Sequence, residues 1–136
     1  MLKLNLNQVR SYEVEQEGLK VRICPLNKKE DLELEKRFTS GRMSMERGLK
    51  KKGSDKVLFP ETDYFSLNLE RAKKTWKEWN LVDEKSKEVP CDPSQIELLF
   101  LNYYDEFARP ILDKLDEAIF KVVKEEKDQM ESERKN

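Results

Sequence analysis

The chain contains no histidine. That removes the commonest general base, the commonest activating partner of a nucleophile and the commonest transition-metal ligand. An enzyme built on this sequence would have to work with carboxylates alone. Cysteine is scarce. Cys24 and Cys91 lie far apart, each beside a proline, and neither has a Cys-x-x-Cys partner. That excludes a disulfide framework or a conventional zinc site and suits two free thiols in a reducing cytoplasm. No apolar run exceeds a few residues, so no segment is expected to span a bilayer. The alternating start Met-Leu-Lys-Leu-Asn-Leu lacks the continuous apolar core of a signal peptide. Charge of one sign is also missing: 27 basic residues face 28 acidic ones, for a net −1. No global field draws the protein to nucleic acid or to an anionic membrane.

What is present is 136 residues, 37% apolar and 40% charged. This suits one lean domain of solvated helices over a small core. Leu2, Leu4 and Leu6 alternate with polar residues, which predicts a short strand over 2–6. Tyr12 and Val14, then Leu19, Val21 and Ile23, alternate in the same way around Gln16-Glu17-Gly18. That predicts a hairpin with a three-residue loop, with Glu13 and Glu15 facing Lys20 and Arg22. Asn27-Lys28-Lys29-Glu30 opens a short helix as a capping box. Residues 41–60 hold three of the four glycines, and six basic residues against two acidic ones fall between Arg42 and Lys56. The expectation is a mobile basic loop, with Lys50, Lys51 and Lys52 as the nucleic-acid contact of an alternative reading. Gly48 to Gly53 has the spacing of P-loop glycines, but Ser54-Asp55 follow where Lys-Ser/Thr is required, so nucleotide binding is excluded.

Phe65, Leu69, Ala72, Trp76 and Trp79 recur at spacings of four, three, four and three, which predicts an amphipathic helix ending in two tryptophans on one face. A charged loop follows, with Val82 and Val89 as apolar anchors. Asp92-Pro93-Ser94-Gln95 then starts another helix: Asp92 suits the N-cap, Pro93 the first helical position, and Gln95 the capping-box partner. Ile96, Leu99, Phe100, Tyr103 and Phe107 form its stripe. Pro110 kinks it or divides it from the next. Leu112, Leu115, Ile119 and Val122 continue with near-heptad spacing into a charged tail over 124–136. Trp76 and Trp79, and the Leu112–Val122 stripe, are either core or surfaces for a partner, self-association included.

Acidic pairs such as Asp83 with Glu84, or Asp113 with Asp116, arise from composition, and no Asp-x-Asp-x-Asp-Gly loop is present. A carboxylate-dependent hydrolase has no spaced acid motif to build on. The expectation is therefore a non-enzyme without cofactor or metal.

The hairpin with Gly18, the run Val21-Arg22-Ile23-Cys24-Pro25-Leu26, and Trp79, Asp83, Glu84, Val89, Pro90, Cys91 and Pro93 form a wider pattern. It resembles the small tail assembly chaperone-like proteins of long-tailed bacteriophages and prophages, over roughly residues 10–38 and 72–108. One departure is that Lys85-Ser86-Lys87 stand where the family turn carries a glycine after the acidic pair. The resemblance implies a non-enzymatic cytoplasmic protein that coats the tape-measure protein, keeps it soluble and brings tail-tube subunits to it. The alternative is a small regulator that contacts nucleic acid through residues 42–56.

Strand-rich sequence followed by helix-rich sequence predicts an α+β fold: a hairpin, or three strands with residues 2–6, packed on three or four helices. The expected layout is a single domain over 1–123, β-rich over 1–26 and helical over 27–40 and 63–123, with the basic loop at 41–60 and the charged tail beyond.

Overall fold

A computed structural model describes residue 4 and residues 6–43 and 58–135. The architecture is α+β. The chain divides into two compact units, one of residues 1–25 and 75–136, the other of residues 26–74.

The first unit is built on a three-stranded antiparallel sheet. Strands β1 (Tyr12–Gln16) and β2 (Leu19–Ile23) form the expected hairpin. Its register places Glu13 opposite Arg22 and Glu15 opposite Lys20, the predicted opposite-charge pairs. The loop is shorter than expected. Gln16 pairs with Leu19, so only Glu17 and Gly18 turn the chain, both at positive φ (46° and 90°). Two successive positive φ values give the tight turn whose twist matches that of the flanking strands. Val14, Leu19, Val21 and Ile23 point into the core.

The expected strand over 2–6 is described only at Leu4 and Leu6. Residues 1–3 and 5 lie outside the described residues; Leu4 is in no strand, Leu6 and Asn7 turn, and Leu4 and Leu6 are exposed. The third strand is β5 (Trp76–Trp79), which pairs antiparallel with β2. The predicted helix through both tryptophans therefore stops at Thr75. The reason is a bulge. Arg22 faces Glu78 and Ile23 faces Trp76, so Lys77 is the extra residue. In a regular strand residues three apart face opposite ways; one extra residue restores a shared face. Trp76 is buried and Trp79 half-buried, with ring centroids 6.5 Å apart. A spacing of three thus fits a bulged strand as well as a helix, and the open edge of β2 decides between them.

Helix α3 (Pro93–Asn102) begins as predicted. Asp92 is the N-cap, its Oδ1 accepting from the Gln95 amide at 2.9 Å, with Pro93 in the first turn. Phe100 is fully buried against Trp76, with ring centroids 5.5 Å apart. A π-helical turn (Tyr104–Ala108) joins α3 to helix α4 (Arg109–Lys135). Pro110 has no N–H for the Glu106 carbonyl four residues earlier, and Gln16 Nε2 donates to that oxygen at 3.3 Å. Ala108 at the end of the π-helical turn, and Ile111 and Leu115 along α4, are buried. The helix runs unbroken through the expected tail boundary at 124 and is tied back twice. Lys114 Nζ donates to the Glu15 carbonyl at 2.7 Å, and Arg10 Nη2 to the Glu126 carboxylate at 2.7 Å.

In the second unit, α1 (Lys28–Arg37) is capped by Asn27, whose Oδ1 accepts from the Glu30 amide at 2.8 Å. Strands β3 (Thr39–Met43) and β4 (Leu58–Thr62) form an antiparallel ribbon. Both ends of the expected 41–60 loop are therefore strand. The hydroxyls of Thr39 and Thr62 meet at 2.7 Å, and Thr39 also donates to the Glu35 carbonyl at 2.9 Å. Pro60, opposite Gly41, is tolerated because each strand of a two-stranded ribbon is an edge. Helix α2 (Tyr64–Thr75) follows Asp63, which accepts from the Ser66 amide and hydroxyl at 3.1 and 2.7 Å. These bonds hold the Asp63 carboxyl below its ordinary range. Arg71 of α2 binds Asp31 of α1 at 2.7 Å.

Asp92→Ala removes the α3 cap without touching the core. It is expected to cost about 1 kcal/mol, read as a shift in denaturant midpoint at constant slope. Asp92→Ser should recover most of the loss. A midpoint unmoved by alanine would show that the cap is not stabilising α3.

Candidate partner-binding groove

Residues 80–89 carry more order than a charged loop requires. Val82 bridges Glu88, and the Val89 amide donates to the Leu81 carbonyl at 3.0 Å, closing a small hairpin. Asp83 organises its tip. Its Oδ1 accepts from the Lys85 and Lys87 amides at 2.8 and 3.0 Å, and its carbonyl from the Ser86 amide at 2.9 Å. The acidic pair Asp83–Glu84 is thus turn chemistry on the Asp83 side. Ser86 takes φ 61°, the left-handed conformation that glycine adopts without strain.

Two side chains fix this hairpin against the sheet. Trp79 Nε1 donates to the Val89 carbonyl at 2.7 Å. Asn80 clips the β1–β2 turn, accepting from the Lys20 amide at 2.8 Å and donating to the Gly18 carbonyl at 3.0 Å. Between the hairpin, the Glu17–Leu19 turn and the outer face of α3 lies an open groove of about 1010 Å³. Leu19 and Leu99 form its floor. Val82, Leu98 and Tyr103 line it while 48%, 49% and 54% exposed, values that mark them as surface rather than core. Phe107 meets Tyr103 edge-to-face, with centroids 6.2 Å apart. The rim is mixed: Glu17, Asp83 and Glu84 with Lys85 and Lys87. An apolar bed with a rim of mixed charge suits an amphipathic segment better than a small charged metabolite.

The residues singled out from the sequence fall elsewhere. Trp76 is core. Trp79 builds the groove wall through its indole N–H but is not among the lining residues. On α4, Leu115 is buried, while Leu112, Ile119 and Val122 are half-buried. Leu115→Asp would therefore disrupt packing before it reported on binding. Lys50, Lys51 and Lys52 lie outside the described residues. Of the two expected loop anchors, Val89 is half-buried and Val82 is exposed. The sequence pattern does not mark Leu98 or Asn80, and it marks Tyr103 only as a member of the α3 stripe. One signal was available: Ile96, Leu98, Leu99, Phe100 and Leu101 put five apolar residues into six positions, more than one buried stripe can use.

Neither Cys24 nor Cys91 is in a disulfide. Arg22 Nη1 donates to Cys24 Sγ at 3.4 Å, and Cys91 Sγ donates to the Trp76 carbonyl at 3.7 Å. Burial, with smaller contributions from Asp92 and Glu78, pushes the Cys91 thiol up to about 11. Among the described residues, no three Cys, Asp or Glu side chains converge as a metal cage, and no helix is long and apolar enough to cross a membrane.

Two outcomes test this geometry. Trp79→Phe keeps one aromatic ring but loses the N–H and the fused second ring; it is expected to cost about 1 kcal/mol or more and to raise amide exchange over residues 81–89. Unchanged exchange would mean that the indole is not the hairpin's anchor. Cys91, with its depressed thiolate fraction, should alkylate more slowly at pH 8 than a peptide cysteine, its rate still climbing as pH approaches 11. A plateau near pH 9 would contradict the burial effect.

Compared with protein-family models, curated proteins and solved structures, the chain finds no match.

Proposed function

We propose that the chain is a non-enzymatic protein-binding module that receives an apolar helical segment of a partner in the groove between α3 and the 80–89 hairpin. One observation carries this reading: Val82, Leu98 and Tyr103 are held about half exposed on a braced, open bed. Maintaining such surface in water is unfavourable unless something covers it part of the time.

Within this class, the proposed role is that of a tail assembly chaperone or scaffold in the host cytoplasm, acting on the tape-measure protein and on tail-tube subunits. The support for the specific role is the sequence resemblance over residues 10–38 and 72–108. The groove is compatible with it, since a long helical partner presents many apolar faces that aggregate when uncovered.

The test is co-expression with the long helical protein encoded beside this chain. Wild-type chain is expected to keep that protein soluble and to co-purify with it. Leu98→Asp and Tyr103→Asp, both at exposed positions, should weaken capture by about tenfold or more while leaving the circular dichroism spectrum unchanged. A partner that stays insoluble beside wild-type chain overturns the tail-assembly role. Groove variants that capture as well as wild type overturn the groove itself.

A further inference from the structure

Helix α4 turns its near-heptad apolar stripe inward, yet Phe120 stays 70% exposed and Val123 54% exposed. The charges around Phe120 are ordered. Asp116 lies four residues before it and Lys124 four after. Asp113 lies seven before and Lys127 seven after. Arg109 lies eleven before and Glu131 eleven after. At 100° per residue, all six positions fall within about 40° of Phe120 around the helix axis. All six are exposed. Each position at a given distance before Phe120 is therefore matched, on the same face, by the opposite charge at that distance after it.

This pattern has one simple consequence. Two copies of α4 laid antiparallel with Phe120 on Phe120 bring Asp116 to Lys124, Asp113 to Lys127 and Arg109 to Glu131, each pair twice. Two copies laid parallel bring every charge to its own like. The first arrangement is favoured and the second penalised by the same residues. We infer that α4 is the interface of an antiparallel homodimer with its two-fold axis at Phe120. The occupant of this face is a second copy because the charge sequence is self-complementary only under that symmetry. The apolar content is small, Phe120 with Val123 beside it, so attraction between charges provides much of the association. Such pairs are solvent-exposed and screened over about 8 Å at physiological ionic strength.

The experiment is sedimentation equilibrium of the full chain at about 50 mM and about 500 mM salt. A dimer is expected at low salt, with its dissociation constant rising at least about tenfold at high salt. Lys124→Glu with Lys127→Glu should give a monomer, because acid then faces acid. Adding Asp113→Lys and Asp116→Lys to the same chain should restore the dimer, since the pattern is mirrored and again self-complementary. A parallel dimer would not be rescued this way. Phe120→Asp should also give a monomer with unchanged helicity, the side chain being outside the core. A wild-type chain monomeric up to millimolar concentration at low salt overturns the proposal, as does a dimer indifferent to the double reversal. These outcomes are independent of the groove, whose variants lie at Leu98 on α3 and at Tyr103 just beyond its end.

Discussion

The pairing of β5 with the open edge of β2 is the interaction on which the first unit depends. A two-stranded hairpin is marginal in water, and β1 covers only one edge of β2. β5 covers the other. It does so immediately after a helix, with the Thr75 carbonyl already accepting from the Cys24 amide at 2.9 Å. The bulge at Lys77 then turns both tryptophans towards the interior. Trp76 meets Phe100 and so seats α3. Trp79 takes the Val89 carbonyl and so seats the 80–89 hairpin. Helix, sheet and groove wall are thus referred to one strand of four residues.

The π-helical turn solves a second problem. Core-side residues spaced by four, such as Ile96, Phe100, half-buried Tyr104 and Ala108, drift by about 40° at each step of an ideal helix. Three steps would carry Ala108 off the core face by about a third of a turn. The bend at Tyr103 (φ −135°, ψ 39°) and the π-helical turn after it re-aim the chain, so the drift does not accumulate. Ala108 and Ile111 are fully buried in line with Phe100. The same widening precedes Pro110, whose missing N–H leaves the Glu106 carbonyl to be met by Gln16 from β1. A residue that only weakens a helix in isolation here marks where the helix is joined to the sheet.

How much of this was legible in the sequence depended on how local its cause was. The Asn27 and Asp92 caps were legible, because a cap is a contact between residues three apart. The Glu13–Arg22 and Glu15–Lys20 pairings were legible, because hairpin register follows from alternation around a glycine. Trp76 and Trp79 were not, because their spacing satisfies two backbones and the choice is made by β2, more than fifty residues earlier. The three-residue hairpin loop was wrong by one residue because Glu17 accepts a positive φ that its side chain does not advertise. Ser86 does the same in the 83–87 turn. Of the candidate site, the tryptophans and the Leu112–Val122 stripe looked like surfaces by type alone. Exposure, which selects Leu98, Tyr103 and Phe120 instead, depends on what lies above a side chain, and the sequence hints at it only around Leu98, where apolar residues outnumber one stripe.

The two exposed surfaces differ in kind, and the difference separates their behaviour. The groove is apolar with a rim of mixed charge, so docking there should depend on area removed from water and little on ionic strength. The Phe120 face of α4 has little apolar area and an ordered set of charges, so association there should fade as salt rises. A net charge of −1 conceals this arrangement. Averaged over the chain the charges cancel; along one face of one helix they are sorted by sign about a single phenylalanine. Salt thus acts as a selective probe. Conditions that separate the two copies of α4 leave the groove competent to bind, so the second surface can be assayed with the first one switched off.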